Sequence, residues 1–292
     1  MTLPLTIGKK KECIMLTSTF LHLPGIGPKA EQLLREAGIL CWEDALCKPL
    51  PISVAKQQSL CRGIEESLAR LEAGDAAWFG KALTTQEQWR LYPHFAREAA
   101  YVDIETTGLG NDCHITTIAL YDGSRVRTYV YGSNLEEFAD DILPFKLLVT
   151  WNGRCFDAPI LRRSLNIPLD KGPMAHLDLL PVFRKLGYRG GLKVTEHRLG
   201  LNRGELDGVD GLTAVRLWQA YERSGERRYL ETLLAYNVAD VLGLEFLAEY
   251  AVASLSALSG PLPTPDRVRA DLNSFVPDPD ALAHVGIWRQ SR

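Results

Sequence analysis

The amino-acid sequence predicts an α/β fold in which a mixed sheet is flanked by helices and follows a small all-helical domain. The chain has 292 residues and is 46% hydrophobic, which is enough for a large core and for one or two domains. Three neighbouring strand patterns begin at residue 99, and strands then alternate with helical apolar spacing. Residues 20–70, in contrast, contain only short helical patterns.

Composition excludes several classes of protein. The net charge of −3 and the pI of about 6.1 exclude a strongly basic chain, so any nucleic-acid function must depend on local features. None of the six cysteines forms a C-x-x-C pair, so we expect no zinc site. There is no N-terminal signal core and no apolar run near the roughly 20 residues of a membrane span. We therefore expect a cytoplasmic protein with free thiols and no membrane partner.

Each element of the main domain is predicted from periodicity or turn chemistry. Alternating residues predict strands at Ile115–Tyr121 and Arg125–Tyr131, and Asp122-Gly123 marks the hairpin between them. Ser133 and Glu136 form a capping box that opens a helix ending near Leu143. The remaining predicted elements are strands at Ala99–Ile104 and Lys146–Trp151, and helices at Phe156–Leu165, Leu212–Arg223 and Tyr229–Tyr250.

The first candidate motif lies at the end of the first strand. Residues two apart on a strand point the same way, so Asp103 and Glu105 project side by side. Adjacent carboxylates repel unless a cation lies between them, and their hard oxygens suit Mg²⁺ or Mn²⁺. The alternative is a polar strand end before a turn at Thr107-Gly108.

Two further motifs carry one carboxylate each. Asp157 is predicted where a strand gives way to a helix, and ligands gather at the strand ends of α/β sheets. The helix dipole alone would also stabilise its ionised form. Residues i and i+4 share a helix face, so Tyr236 and Asp240 should face one site, although such pairs also occur in cores.

Together the three motifs resemble those of the DEDD superfamily of 3′–5′ exonucleases, in its Tyr-type branch. Residues 103–105 match D-x-E, residues 152–157 match N-x-x-x-F-D and residues 236–240 match Y-x-x-x-D. That superfamily has the ribonuclease H-like fold and includes polymerase proofreading domains and ribonuclease D. The resemblance covers roughly residues 99–250.

The resemblance implies a metal-dependent nuclease with a defined set of site residues. Its four carboxylates would hold two ions, Mg²⁺ or Mn²⁺: Asp103, Glu105, Asp157 and Asp240. Two cations ~4 Å apart can activate a water and stabilise the entering and leaving oxygens of phosphodiester hydrolysis. Tyr236 would orient the attacking water, because a group with a pKa near 10 is a poor base at neutral pH.

Candidate nucleic-acid contacts come from two places. Residues 184–203 carry a local net charge of +5 and could hold a phosphate backbone, or be a solvated surface. The basic residues there are Arg184, Lys185, Arg189, Lys193, Arg198 and Arg203, of which we select Arg189 and Lys193. Asn152 and Phe156 are candidates in the second motif. Phe156, like Trp151, could stack on a base or pack in the core. We expect Asp178 to order a loop rather than bind metal.

Residues 23–30 resemble a helix-hairpin-helix motif. Gly25 and Gly27 would let the backbone approach a phosphate, with amides donated by the next helix N-terminus. Lys29 could add a charge contact, and Ile26 would anchor the hairpin in the core. Residues 20–70 have no net charge, so DNA binding would be weak and without base readout. Packing or protein contact is the alternative.

These motifs define the expected organisation and function. The expected segments are a leader at 1–18, a helix-hairpin-helix domain at 19–70, a helical connector at 71–98, a ribonuclease H-like exonuclease domain at 99–255 and a proline-rich C-terminal tail at 256–292. Met15 is an alternative start. We expect 3′–5′ hydrolysis of single-stranded DNA, and RNA is the alternative substrate because the same carboxylates serve both. A related endonuclease or transposase would not need Tyr236, and a non-enzymatic binding module would not need all four carboxylates.

Overall fold

The chain divides into two compact units, residues 1–69 and residues 70–292. The structure is a computed structural model that describes residues 16–110, 112–169, 172–256 and 262–286. Met15 and most of the predicted leader lie outside the described residues. Among the described helices, none is long and apolar enough to span a membrane.

The first unit is helical, as the sequence predicts. Its helices are α1 Pro28–Glu36, α2 Trp42–Cys47 and α3 Val54–Glu72, the last of which continues past the boundary between the units. Residues 16–25 form successive turns and bends rather than a helix ahead of the hairpin. These turns are fixed by the buried Glu31, which accepts hydrogen bonds from Thr19 Oγ1 and Phe20 N, both at 2.7 Å.

The second unit contains a five-stranded sheet and nine α-helices among its described residues. The strands are β1 Ala99–Thr106, β2 Ile115–Tyr121, β3 Val126–Val130, β4 Leu147–Thr150 and β5 Ala175–Asp178. The helices are α4 Ala76–Ala82, α5 Tyr92–Phe95, α6 Phe138–Asp141, α7 Asp157–Leu165, α8 Leu179–Lys185, α9 Leu192–Arg198, α10 Gly211–Ser224, α11 Arg227–Leu255 and α12 Pro279–His284.

The sheet has the order β3-β2-β1-β4-β5. β1 pairs antiparallel with β2, and β2 with β3, whereas β1–β4 and β4–β5 are parallel. The prediction of a mixed sheet flanked by helices is therefore confirmed. β1 is central, and a shift in its register with β2 falls between Glu105 and Thr106, at the end of the strand.

The strand alternation of β1 sends its side chains into two environments. Val102 and Ile104 belong to an apolar cluster that includes Phe138 of α6 and Leu161 of α7. Asp103 and Glu105 project from the other face, where α11 packs against β1 and β2. α11 is buried along most of its length, as expected of a helix that is apolar on nearly all sides.

One local prediction is wrong, and two elements of the structure were not predicted. The capping box at Ser133 is not formed: a 3-10 turn at Leu135–Glu137 precedes α6, and no side chain caps it. β5 was not predicted as a strand. The proline-rich tail is mostly irregular in the described residues 262–286, but it also forms α12, whose Ala281 and Leu282 are buried.

Candidate active site

Two elements position the acidic side chains of the site. Strand β1 presents Asp103 and Glu105 on one face, two residues apart. The long helix α11 presents Tyr236 and Asp240 one turn apart, and both are 4% exposed. The sheet and α11 thus bring the first and third sequence motifs together across more than 130 residues of chain.

Three carboxylates form a compact group in this site. Asp103, Glu105 and Asp240 each offer one oxygen, and these oxygens all lie within 4.8 Å of one another. A group of hard oxygen donors fits a divalent cation such as Mg²⁺ or Mn²⁺ and does not fit a thiophilic metal. Asp157 lies outside this tightest group, but it lines the same cleft at the N-terminus of α7.

The cleft around these carboxylates has a volume of about 880 Å³. Its walls combine the acidic group and Tyr236 with apolar side chains from several elements. The apolar wall includes Leu109, Trp151, Phe156, Leu180, Leu192 and Leu212. Phe156 also packs against the apolar cluster of the sheet, and the ring centroids of Trp151 and Phe183 lie 5.5 Å apart. Both aromatic residues therefore combine packing with exposure to the cleft.

Asn237 of α11 fixes the position of Asp103. Its Nδ2 donates to Asp103 Oδ2 at 2.7 Å and to the Asp103 carbonyl oxygen at 3.2 Å. Its Oδ1 accepts from Thr117 Oγ1 of β2 at 3.1 Å. A single buried amide therefore ties helix, strand and carboxylate together.

Two positively charged side chains contact Asp240. Lys193 of α9 pairs with Asp240 Oδ1, and its Nζ lies 4.3 Å from the centre of the Tyr236 ring. Arg203 donates from Nη1 to the same oxygen and binds Glu196 with its other nitrogens. Lys193, predicted as a nucleic-acid contact, thus lies within the acidic site itself.

Asp178 orders the loop that follows β4, as the sequence predicts. Its carboxylate accepts from the backbone N of Asn152 at 2.8 Å and of Arg154 at 3.2 Å. It also caps α8 by accepting from Leu180 N. Asn152 lines the cleft and has a left-handed backbone, with φ 61°.

A model of the RNase_H superfamily matches residues 100–252, just over half of the chain. The chain belongs to the RNase_H superfamily. A similar solved structure is that of the family B DNA polymerase from the hyperthermophilic archaeon Pyrobaculum calidifontis, with a TM-score of 0.40 and 16% sequence identity. That match covers 53% of this chain and 24% of the polymerase chain, so this chain spans about a quarter of the polymerase's length. No curated protein matches the chain.

The electrostatics of this RNase_H superfamily site favour proton or cation binding. Burial raises the pKa of Asp103 to about 6, although the charge of Lys193 opposes the shift. Burial, and then the charge of Asp103, raise the pKa of Glu105 and of Asp157 well above their usual range. Neighbouring carboxylates resist joint ionisation, and a bound divalent cation removes that resistance.

The other predicted nucleic-acid contacts are scattered. Arg189 is exposed and donates from Nη1 to the Arg184 carbonyl oxygen at 3.3 Å; it does not line the cleft, whereas Arg184 does. Lys185 pairs with Glu87. The basic segment is therefore not one continuous surface.

In the first unit, the hairpin residues lie at the surface. Gly25 has φ +80°, and no atom lies within 4 Å of where a Cβ of Gly25 or Gly27 would be. Lys29 is exposed. Ile26 is only half-buried, so it is not the core anchor that the sequence suggested.

Sequence reasoning missed Asn237 and the pair formed by Glu196 and Arg203. Asn237 lies inside the third motif, three residues before Asp240, and this helical spacing was a usable signal. Arg203 gave no such signal, because its partner Asp240 is 37 residues away.

Proposed function

We propose that this chain is a metal-dependent 3′–5′ exonuclease of the DEDD type that acts on single-stranded nucleic acid, with DNA as its substrate. One observation carries the proposal: the oxygens of Asp103, Glu105 and Asp240 lie within 4.8 Å of one another in an open cleft. Tyr236, one helical turn before Asp240, lines the same cleft.

The carboxylates would serve as metal ligands. Asp103, Glu105 and Asp240 form the group that would hold Mg²⁺ or Mn²⁺, and Asp157 would complete the ligands for a second ion. Bound ions of this kind lower the pKa of a water and stabilise negative charge on phosphodiester oxygens. Asn237 keeps the Asp103 carboxylate turned toward the group, through the 2.7 Å hydrogen bond to Oδ2.

Tyr236 would orient the attacking water. Burial, and then the charge of Glu105, raise the pKa of its phenol above the ordinary value, so the hydroxyl keeps its proton at neutral pH. A neutral phenol both donates and accepts hydrogen bonds, which suits positioning and not proton abstraction.

The walls of the cleft suit the end of a single nucleic-acid strand. Trp151, Phe156 and Leu192 offer apolar surface beside the carboxylates, and bases that are free of a duplex can stack on such side chains. Lys193, Arg184 and the backbone around Asn152 would then lie near the phosphates. Arg189 lies outside the cleft, so it would contact the nucleic-acid strand only at nucleotides farther from the bound end.

The first unit would tether the enzyme to DNA without taking part in the chemistry. Its hairpin at Gly25 and Gly27 leaves open space beside the backbone, which a phosphate could approach. Lys29 is exposed one residue into α1. Because residues 20–70 carry no net charge, this contact would be weak.

The test is digestion of DNA and RNA oligonucleotides of the same sequence, labelled at the 5′ end, with Mg²⁺ or Mn²⁺. We expect a ladder that shortens from the 3′ end, faster on DNA, and none with Asp103→Asn. Faster loss of the RNA would reassign the substrate. Internal cuts would indicate an endonuclease, and binding without cleavage would indicate a binding module.

A further inference from the structure

A buried ion-pair network lies behind Asp240. Arg203 follows α9, and its Nε donates to Glu196 Oε2 at 2.9 Å while Nη2 donates to Oε1 at 2.5 Å. Its remaining nitrogen, Nη1, donates to Asp240 Oδ1. The side chains of Arg203 and Glu196 are only 9% and 3% exposed. One guanidinium therefore joins two carboxylates away from solvent.

We infer that Arg203, held by Glu196, is a positioning residue that fixes the carboxylate of Asp240 within the metal-binding group. The inference rests on the proposed function, because it requires Asp240 to be a ligand. A guanidinium is planar and rigid, so two hydrogen bonds to Glu196 also set the direction of its third. Asp240 is thereby held at one oxygen, and its remaining rotational freedom is small.

Geometry, rather than charge, is what the network supplies. The positive charge of Arg203 alone would repel a bound cation, but the adjacent negative charge of Glu196 offsets it. Lys193 contacts the same oxygen of Asp240 with a single ammonium group on a flexible stem; its side chain is 31% exposed, although Nζ itself is buried. A single ammonium group does not set the direction of its hydrogen bond as the planar guanidinium of Arg203 does, and the Arg203 side chain is only 9% exposed.

Gly243 provides an independent reason to treat the network as a fitted unit. It lies on α11, three residues after Asp240, and a Cβ at this position would overlap Glu196 Oε1. Glycine inside a helix makes the helix less stable than alanine would, so helix propensity does not explain a glycine at position 243. Its absent side chain leaves the space in which Glu196 lies against the helix.

Two variants change this geometry without changing the net charge. Gly243→Ala displaces Glu196, and the double variant Glu196→Gln/Arg203→Gln replaces the ion pair with two neutral amides. Loss of a contact that orients a metal ligand typically weakens metal binding about 10–100-fold. We expect both variants to bind Mn²⁺ at least tenfold more weakly than the wild-type chain, by calorimetric titration. The half-saturating Mn²⁺ concentration for hydrolysis should rise in parallel.

The matched control is Arg267→Gln. Arg267 forms an ion pair with Glu249 of α11, the helix that also carries Asp240, at 3.2 Å. The Arg267 side chain is exposed and does not line the cleft. This variant should bind Mn²⁺ as the wild type does. Arg203→Lys keeps the charge and loses the forked geometry, so it should resemble the double variant rather than the wild type.

Wild-type Mn²⁺ affinity in folded Gly243→Ala and in the folded double variant would overturn the inference, even if both melted at lower temperature. If the double variant does not fold, Gly243→Ala decides, because it retains every charged group. Asp240→Asn is titrated alongside. If Asp240→Asn binds Mn²⁺ normally, the proposed metal site fails; if it alone loses Mn²⁺, only the positioning role fails.

Discussion

Replacing Asn237 with leucine should weaken both the fold and the metal site, because this one amide connects them. Asn237 is fully buried and binds Asp103 through Nδ2 and Thr117 through Oδ1. Leucine has the same branched shape but a larger volume, so it removes these hydrogen bonds and opens no cavity, while its extra bulk adds about 1–3 kcal/mol of packing strain. Thr117 is itself fully buried, so water cannot replace the lost partner of its hydroxyl.

The magnitude follows from the two contacts. A hydrogen bond to a charged group contributes about 1.5–3 kcal/mol, and a buried hydroxyl left without a partner costs a further 1–3 kcal/mol or so. The lost hydrogen bonds should therefore lower the free energy of unfolding by about 4 kcal/mol, and the strain of the larger side chain adds to that loss. Asp103 also loses its orientation, so Mn²⁺ should bind about 10–100-fold more weakly.

Urea unfolding and Mn²⁺ titration measure the two effects separately. Thr117→Val is the matched control, because it breaks the contact on the other side of Asn237 and leaves the bond to Asp103. It should cost about 1–2 kcal/mol of stability and leave Mn²⁺ binding unchanged. If Asn237→Leu loses stability but binds Mn²⁺ like the wild type, the amide does not orient Asp103 and the reasoning is refuted.

Three further outcomes are expected. EDTA should stop hydrolysis and added Mn²⁺ should restore it, and Glu105→Gln should lower turnover by about 100-fold or more. Hydrolysis that persists in EDTA and in Glu105→Gln would refute metal dependence. Tyr236→Phe should lower kcat about 10–100-fold at constant KM on a single-stranded oligonucleotide; an unchanged kcat would leave Tyr236 a packing residue. Burial lowers the pKa of His176 to about 3, so from pH 6.5 down toward 3 only the unfolded chain gains this proton and stability falls. At pH 5 the loss in the free energy of unfolding is about 2 kcal/mol. Urea unfolding at pH 7 and pH 5 should therefore show a smaller pH dependence of stability for His176→Asn than for the wild type. Equal pH dependences in the two proteins would contradict the lowered pKa of His176.

The parts of the fold that were predictable are those specified locally. β1 and β2 alternate between two environments, and Asp122-Gly123 turns the chain between β2 and β3, so each could be read from adjacent residues. The same alternation placed Asp103 and Glu105 on one face. Because side-chain direction along a strand has a fixed period, this half of the site needed no knowledge of distant partners.

The parts that were missed depend on distant contacts. β5 is short and carries His176 and Asp178, which look exposed in sequence but are buried. Thr150 supplies the partner of His176, at 2.8 Å, and backbone amides from the loop after β4 supply those of Asp178. Arg203 was grouped with surface cations for the same reason. Local charge counting does not reveal a carboxylate that only folding brings near.

The predicted connector at 71–98 contributes α4, and its contact with β5 determines how far the second unit can be shortened. Gly80 lies so close to this edge strand that a Cβ there would be 2.9 Å from the Cβ of Ala175. An uncovered edge strand is a template for pairing with other chains. A fragment starting near Gln86 would retain every carboxylate of the cleft but remove α4 from β5, so we expect it to self-associate. A fragment that starts at Arg70 retains α4, and its solubility would then report on the cleft-bearing unit itself.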